Sequence, residues 1–421
     1  MVELTLERAA HITPVTGLSD TEAAGIDLDR MRRYRLGRIR DRLVERDYAA
    51  CVLLSPYSIR YATGFRNCAI YQTHIQAGYL FIPAEGPVVL FDGDVGPVTG
   101  PGLGTIDEIR HDVVPLGYFY GGPRLDHWFG EWARQMADLV GQHGGGNRRL
   151  AVERAGTRAP GAFDGLDIEV VDAVDIIEPA RVIKSPEEIL CMNVAIAAAE
   201  DGMWRMCEAL RPGISEVDLW SHLWAANTEW GGDWLECRLL TSGDRTNPWL
   251  QEASHRRIRA GELVAFDTDM VGPFGYAADV SRTYFCGPGR PSDEQKDLYK
   301  RAYDEVHHNI ELMKPGVSFR DITRRGFQQP EKFRAQHYPV LAHGIGMSDE
   351  WPTIFYPDDD EKFGHDGCLE TGMTICVESY VGEVGGHEGV KLEQQVVITE
   401  TGHAVLSRFP FEEDLLGSKA V

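Results

Sequence analysis

The chain has 421 residues, with 65 Asp or Glu against 42 Lys or Arg, so its formal net charge is −23. This excess of acid repels phosphate backbones and no basic stripe offsets it, which excludes nucleic-acid binding. With 43% hydrophobic residues and about 100–200 residues per domain, the chain can bury the cores of two or three domains.

The N-terminus lacks the basic and apolar segments of a signal peptide, and no run reaches the ~18 apolar residues of a membrane span. We therefore expect a cytoplasmic protein that binds no membrane. The eight cysteines include no Cys-x-x-Cys pair. They are expected to be buried free thiols rather than zinc ligands or disulfides.

Helical and strand patterns alternate in the first part of the chain. Apolar spacing predicts helices over 31–48 and 125–141. Apolar runs predict strands at 49–54, 78–83, 87–91 and 149–153. Residues 1–180 are therefore expected to form one α/β domain.

A strong helix start follows at Ser185-Pro186-Glu187-Glu188. It combines an N-cap Ser, Pro at the first helical position and Glu three residues after the cap. We place the domain boundary here, so that the second domain spans 181–421.

The second domain repeats its own pattern. The segments 210–215 (LRPGIS) and 313–318 (MKPGVS) each end one helix and begin another. Downstream of each, a Gly opens an apolar strand with an acid six residues later, and a further acid follows. The four acids are Asp267 and Asp279 in the first half, and Glu378 and Glu393 in the second. Two related halves are expected to bring these carboxylates to one centre.

Carboxylates in apolar strands are costly unless a cation compensates their charge. The candidate metal ligands are Asp267, Asp269, Asp279, His343, Glu378 and Glu393. Oxygen-rich ligation with one imidazole suits Mn, Fe, Co or Zn in a two-metal site. For any single acid, a strand-edge residue that faces water is the alternative.

These residues resemble the pita-bread superfamily of creatinase, prolidase, Xaa-Pro aminopeptidase and methionine aminopeptidase. The segment 181–189 (RVIKSPEEI) is similar to the junction between the two domains of that superfamily. Its ligand pattern of Asp, Asp, His, Glu and Glu falls on the candidate metal ligands, with Asp267 or Asp269 in first place. The resemblance implies an α/β (α+β) fold with a creatinase-like N-terminal domain and a pita-bread catalytic domain.

Departures from the peptidase pattern carry information about function. Peptidases of this superfamily usually show H-G-x-G-L-x-x-H-E, whereas residues 343–351 read HGIGMSDEW and lack the second His. Trp249 stands where a substrate-side His is expected, and Glu-Pro-Gly becomes Glu378-Ser379-Tyr380. Peptide hydrolysis is therefore disfavoured.

One branch of the superfamily, the dimethylsulfoniopropionate lyases, resembles the chain at 234–243, 245–249, 266–269, 343–352 and 391–393. This resemblance implies that all six candidate ligands bind metal, that the metal is iron, and that Asp349 is the catalytic base. Mn, Co and Zn are also compatible with the ligands. The resemblance also implies a homodimer, the common state of such relatives.

The chemistry agrees with this assignment, since the elimination needs a base beside a metal-held carboxylate. A solvent-facing or N-cap Asp is the alternative for Asp349. The sulfonium cation of this small-molecule substrate needs an aromatic pocket. Trp249, Tyr338 and Trp351 are candidates for it, although each could also be an ordinary core residue.

The sequence therefore predicts a metal-dependent lyase that releases dimethyl sulfide and acrylate from dimethylsulfoniopropionate. The first alternative is an Xaa-Pro metallopeptidase. A second is a C–N hydrolase of creatinase or ectoine-hydrolase type, and a third is a binding module without activity.

Overall fold

The computed structural model describes residues 4–11, 25–66, 68–93, 103–154 and 156–417. The chain divides into two compact units, Asp27–Arg181 and Val182–Val421, and residues 1–26 belong to the second unit. Within the described ranges, no helix is both long enough and apolar enough to cross a membrane.

The smaller unit is built on one six-stranded sheet of order β4-β3-β2-β1-β5-β6. Its strands are β1 (Ala50–Leu53), β2 (Gly78–Pro83), β3 (Val89–Asp92), β4 (Glu108–Arg110), β5 (Arg149–Val152) and β6 (Glu169–Asp172). After α1 (Leu6–His11), which lies in the larger unit, its helices are α2 (Leu28–Glu45), α3 (Pro56–Thr63), α4 (Ala69–His74), α5 (Tyr118–Gly121), α6 (Leu125–His143), α7 (Ala159–Ala162) and α8 (Val174–Arg181). The predicted helices and strands of this region are confirmed, with small shifts at their ends.

The helices of the larger unit are α9 (Pro186–Ala209), α10 (Glu216–Glu229), α11 (Asp293–Ile310), α12 (Phe319–Arg325), α13 (Glu331–Arg334), α14 (Pro357–Phe363) and α15 (Glu413–Leu416). Its strands are β7 (Trp234–Leu235), β8 (Leu240–Ser242), β9 (Leu263–Phe266), β10 (Met270–Val271), β11 (Ala277–Ala278), β12 (Arg282–Phe285), β13 (Ala342–Ile345), β14 (Asp349–Ile354), β15 (Thr374–Gly382), β16 (Gly389–Ile398) and β17 (His403–Val405). They form sheets of order β11-β10-β7, β12-β9-β8 and β14-β13-β15-β16-β17.

The predicted helix start at the domain junction is confirmed. Ser185 caps α9 by accepting a hydrogen bond from the backbone N–H of Glu188, and the Glu188 side chain accepts one from the N–H of Ser185. This capping box satisfies two N–H groups that have no partner inside the helix.

The sequence repeat is also a structural repeat. Ser215 caps α10 and Ser318 caps α12, each through its side chain. Each cap residue also forms an isolated antiparallel bridge, with Arg257 and with Cys368 respectively. The glycines before β9 and β15 both have a positive φ, of 88° and 91°, which an L-residue with a Cβ rarely adopts.

The five-stranded sheet packs against α11 and supplies one half of the site described below. Buried apolar residues such as Tyr299 and Val306 on α11 share a core with Val377 on β15 and Leu392 on β16. Because successive strand residues alternate between faces, the opposite face of these strands is left to polar residues.

The expectation that the cysteines are buried holds for four of the eight, and Cys207 and Cys237 are half-buried. Cys68 and Cys368 are exposed, because both lie in irregular segments rather than in strands.

Candidate metal centre and active site

Four buried carboxylates come together from the two repeated halves. Asp267 directly follows β9, and Asp279 precedes β12, the strand that pairs with β9. Glu378 on β15 and Glu393 on β16 are direct cross-strand partners. Like charges that face each other in a sheet destabilise it, so this arrangement requires compensating positive charge.

The imidazole of His343, on β13, points into the same cluster. Its Nε2 lies 3.6 Å from Asp279 Oδ2, 3.5 Å from Glu378 Oε1 and 3.6 Å from Glu393 Oε1. Its Nδ1 lies 3.0 Å from the carbonyl oxygen of Gly344. A backbone carbonyl at one ring nitrogen is the usual way to leave the other nitrogen for a metal.

The ligand atoms form two overlapping groups. One contains Asp279, His343, Cys376 and Glu393, and the other contains Asp267, Glu378 and Glu393. Within each group all the ligand atoms lie within 4.8 Å of one another. Glu393 belongs to both, which is the position that a carboxylate shared by two cations would occupy.

Asp269 belongs to neither group but lies beside them. Burial, followed by the charges of Asp267 and Glu393, raises its pKa well above the ordinary value. Its φ is 37°, a left-handed conformation that non-glycine residues adopt rarely and often at functional sites. As a metal ligand, Asp269 stays a prediction.

The carboxylates fit a site for divalent cations. Each of five has one buried oxygen that accepts no hydrogen bond from the described residues: Asp267 Oδ1, Asp269 Oδ2, Asp279 Oδ1, Glu378 Oε1 and Glu393 Oε1. Buried polar atoms without a partner are costly and rare. Carboxylate oxygens with one imidazole are the donors that Mn, Fe, Co or Zn accept.

Lys391 is part of the cluster, and the sequence analysis missed it. Its Nζ lies 2.8 Å from Glu378 Oε2, 3.1 Å from Asp267 Oδ2 and 3.2 Å from Glu393 Oε2, and its side chain is fully buried. The signal was available, because residues 391 and 393 share one face of β16. One ammonium group cannot neutralise the carboxylates around it, so further cations are still required.

The pKa values reflect this unbalanced charge. Burial, and then neighbouring carboxylates, raise the pKa values of Asp267 and Asp279. Burial raises the pKa of Glu378 to about 8. Burial lowers the pKa of His343, but Glu393 and Glu378 outweigh it and raise that pKa to about 10. Divalent cations favour ionised carboxylates and neutral imidazole, so their binding would release protons.

Cys376 was also missed, although it lies on β15 two residues before Glu378. Its Sγ donates to the carbonyl oxygen of Asp279 over 3.8 Å. Burial raises the pKa of this thiol well above its usual range. We therefore treat Cys376 as a neutral neighbour of the cluster rather than a thiolate ligand.

Asp349 and Glu350 point to opposite sides of β14. Asp349 Oδ1 lies 3.7 Å from His343 Nδ1, and the Asp349 side chain is 73% exposed. Glu350 is buried and forms an ion pair with Lys184, with Nζ and Oε2 2.6 Å apart. Strand alternation therefore directs Asp349 toward His343 and Glu350 into the core.

The Lys184–Glu350 pair leads to a prediction about stability. Both side chains are 2% exposed, and breaking a buried pair from one side costs about 3–5 kcal/mol. Lys184→Met should therefore lower the free energy of unfolding by about that amount, measured with urea. Lys184→Met combined with Glu350→Gln should recover much of the loss. An unchanged midpoint in Lys184→Met would contradict this account.

Two of the three predicted aromatic residues lie together beside the carboxylates. Trp249 is buried in a small cluster with Leu239, Ala265 and Tyr380, and Tyr338 packs against that cluster. Ala265 on β9 lies two residues before a carboxylate, as Tyr380 on β15 lies two residues after one. The aromatic and anionic groups therefore adjoin.

The contacts of Trp351 differ from those of this pair. Its ring packs edge-on against Phe319, with ring centroids 5.1 Å apart, and the residue is 37% exposed. Among the described contacts, none joins Trp351 to the aromatic cluster.

Two family models match the chain. Residues 190–400 match metallopeptidase family M24, and residues 35–183 match the creatinase/prolidase N-terminal domain. The predicted resemblance and the predicted fold class are thereby confirmed.

Two relatives match nearly the whole chain. Dimethylsulfoniopropionate lyase DddP of Roseovarius nubinhibens is 37% identical over 396 residues, which cover 93% of this chain and 89% of the relative. The protein of the same name from Roseobacter denitrificans is 35% identical, over 93% of this chain and 88% of the relative.

Solved structures show the same fold. The Xaa-Pro dipeptidase from Bacillus anthracis aligns with a TM-score of 0.72 at 21% identity, covering 90% of this chain and 99% of that one. The prolidase from Pyrococcus furiosus aligns with a TM-score of 0.69 at 19% identity, covering 88% and 99%.

Proposed function

We propose that this chain, which belongs to metallopeptidase family M24, cleaves dimethylsulfoniopropionate into dimethyl sulfide and acrylate. The observation that carries the proposal is the placement of Asp349 beside His343, with Glu350 turned away into an ion pair. Two relatives that bear the name of this activity, at 37% and 35% identity, support it.

The buried carboxylates and His343 would hold two divalent ions, and we propose iron. When bound, these ions supply a positive centre that holds the substrate carboxylate and stabilises negative charge that develops beside it. The unpartnered carboxylate oxygens support divalent cations at this site, and the choice of iron rests on the resemblance to the lyase branch.

Asp349 would remove the proton from the carbon next to the substrate carboxylate. The electron pair of that C–H bond becomes the second bond of acrylate, while the C–S bond breaks and its electron pair stays on sulfur, giving neutral dimethyl sulfide. The exposure of Asp349 gives it a route to return the proton to water.

The position of Glu350 supports the lyase proposal over peptide hydrolysis. The second His of the peptidase pattern falls seven residues after the first, where this chain has Glu350. That side chain is buried against Lys184, and its Oε1 accepts a hydrogen bond from the N–H of Met347 over 3.2 Å. It therefore supplies no proton donor to a substrate at the carboxylate cluster.

We expect metal-loaded protein to release dimethyl sulfide from dimethylsulfoniopropionate, detected in the headspace, and to leave Xaa-Pro dipeptides essentially uncut. The same preparation should be assayed with iron, manganese, cobalt and zinc, because the ligands accept each of them. Efficient dipeptide cleavage without sulfide release would overturn the proposal in favour of the Xaa-Pro peptidase.

A further inference from the structure

Tyr380 lies on the same face of the sheet as the metal-site carboxylates. It follows Glu378 by two residues on β15, and its cross-strand partner on β16 is Lys391. The ammonium group of Lys391 lies 2.8 Å from Glu378 Oε2. Two residues along a strand span roughly 6–7 Å. The side chain of Tyr380 therefore leaves the strand at about that distance from the side chain of Glu378, on the same face.

Contacts with the surrounding residues hold the Tyr380 ring in one position. Tyr380 is 3% exposed, and its hydroxyl is 3.0 Å from both the carbonyl oxygen of Thr246 and Asn247 Oδ1. A Cβ on Gly382 or Gly389 would come within 2.4 Å of that hydroxyl, so the two glycines leave room for it.

Tyr380 also orients Trp249. The two rings are stacked, with centroids 6.3 Å apart and planes at 27°. The hydroxyl contacts the backbone carbonyl of Thr246 and the side chain of Asn247, and so holds the segment just before Trp249. Both aromatic rings are therefore fixed beside the carboxylate cluster before any substrate binds.

The other predicted aromatics are less suited to hold a substrate cation. Lys391 Nζ already lies 4.6 Å from the centroid of the Tyr338 ring. Trp351 packs against Phe319. A second cation on Tyr338 would meet the ammonium group of Lys391, and like charges repel.

We propose that Tyr380 is a specificity-determining residue, which together with Trp249 recognises the cationic end of the substrate while the metal centre holds its carboxylate. This inference rests on the proposed function. The aromatic pair adjoins the carboxylates on one face of the sheet, an arrangement in which a short molecule could reach both with a carboxylate at one end and a methylated cation at the other. Such a cation donates no hydrogen bond, so contact with ring faces is the available means of recognition.

The test compares Tyr380→Leu and Tyr380→Phe with the metal-loaded parent. Two probes are used: dimethylsulfoniopropionate, and 4-methylpentanoate, an isostere that keeps the carboxylate but lacks the cationic charge, as a competitive inhibitor. Tyr380→Leu should raise KM for the sulfonium about tenfold, with little change in kcat or in the inhibition constant of the isostere. Tyr380→Phe keeps the ring but loses the hydroxyl contacts, so it should raise KM for the sulfonium less than Tyr380→Leu does.

If Tyr380→Leu weakened the binding of both probes equally, Tyr380 would have only a structural role and the inference would be overturned. Unchanged binding of both probes would also overturn it. If the parent releases no dimethyl sulfide, the proposed function fails separately. Calorimetric binding of the same two probes then still decides whether Tyr380 distinguishes the cation from its isostere.

Discussion

Asp349→Asn should reduce turnover of dimethylsulfoniopropionate by about two orders of magnitude or more, the low end of what a positioned base supplies. The substitution keeps the size and hydrogen bonding of the side chain but removes its basicity. Because Asp349 is 73% exposed and lies outside the buried ligand groups, metal content and KM should stay close to those of the parent. Headspace kinetics and elemental analysis of one preparation measure all three.

Glu350→Gln is the matched control, because it makes the same chemical change at the next residue. Glu350 faces Lys184 in the core rather than His343, so we expect lower stability and only a mild effect on turnover. Near-native turnover in Asp349→Asn together with severe loss in Glu350→Gln would move the base to the other residue and refute our assignment.

The elements that the sequence predicts well are those fixed by local pattern. The capping box at Ser185 and the helix over 125–141 depend on residues three or four apart, and both are found in the structure. The repeat around Ser215 and Ser318 was visible for the same reason, since each copy carries its own turn and its own cap.

The residues that the sequence analysis missed depend on pairing between distant segments. Lys391 joins the cluster because β16 pairs with β15 in one register, which places residue 393 opposite 378. Tyr380 becomes part of the aromatic cluster only when the loop at 246–249 packs against it. Trp351 lies two residues after the predicted base in sequence, yet its ring packs against Phe319. Sequence spacing places Lys391 on the same strand face as Glu393, but it determines neither the register with β15 nor the contacts of Tyr380 and Trp351.

Asp279→Asn should remove bound metal and turnover together, while the metal-free protein should be no less stable than the metal-free parent. Asp279 supplies a ligand atom beside His343 and Glu393, and an amide is a weaker ligand for divalent cations than a carboxylate. Burial and neighbouring carboxylates raise the pKa of Asp279, so its charge opposes folding at neutral pH when no cation is bound.

The measurements for Asp279→Asn are elemental analysis, headspace kinetics and urea unfolding after chelation. Asp366→Asn is the control, because the Asp366 side chain is 91% exposed and pairs only with Arg320 among the described ion pairs. Its metal content should equal that of the parent. Full metal content and turnover in Asp279→Asn would show that this carboxylate is not a ligand. A metal-free variant that is much less stable than the metal-free parent would show instead that Asp279 supports the fold, because removing a repelled charge should relieve the cluster.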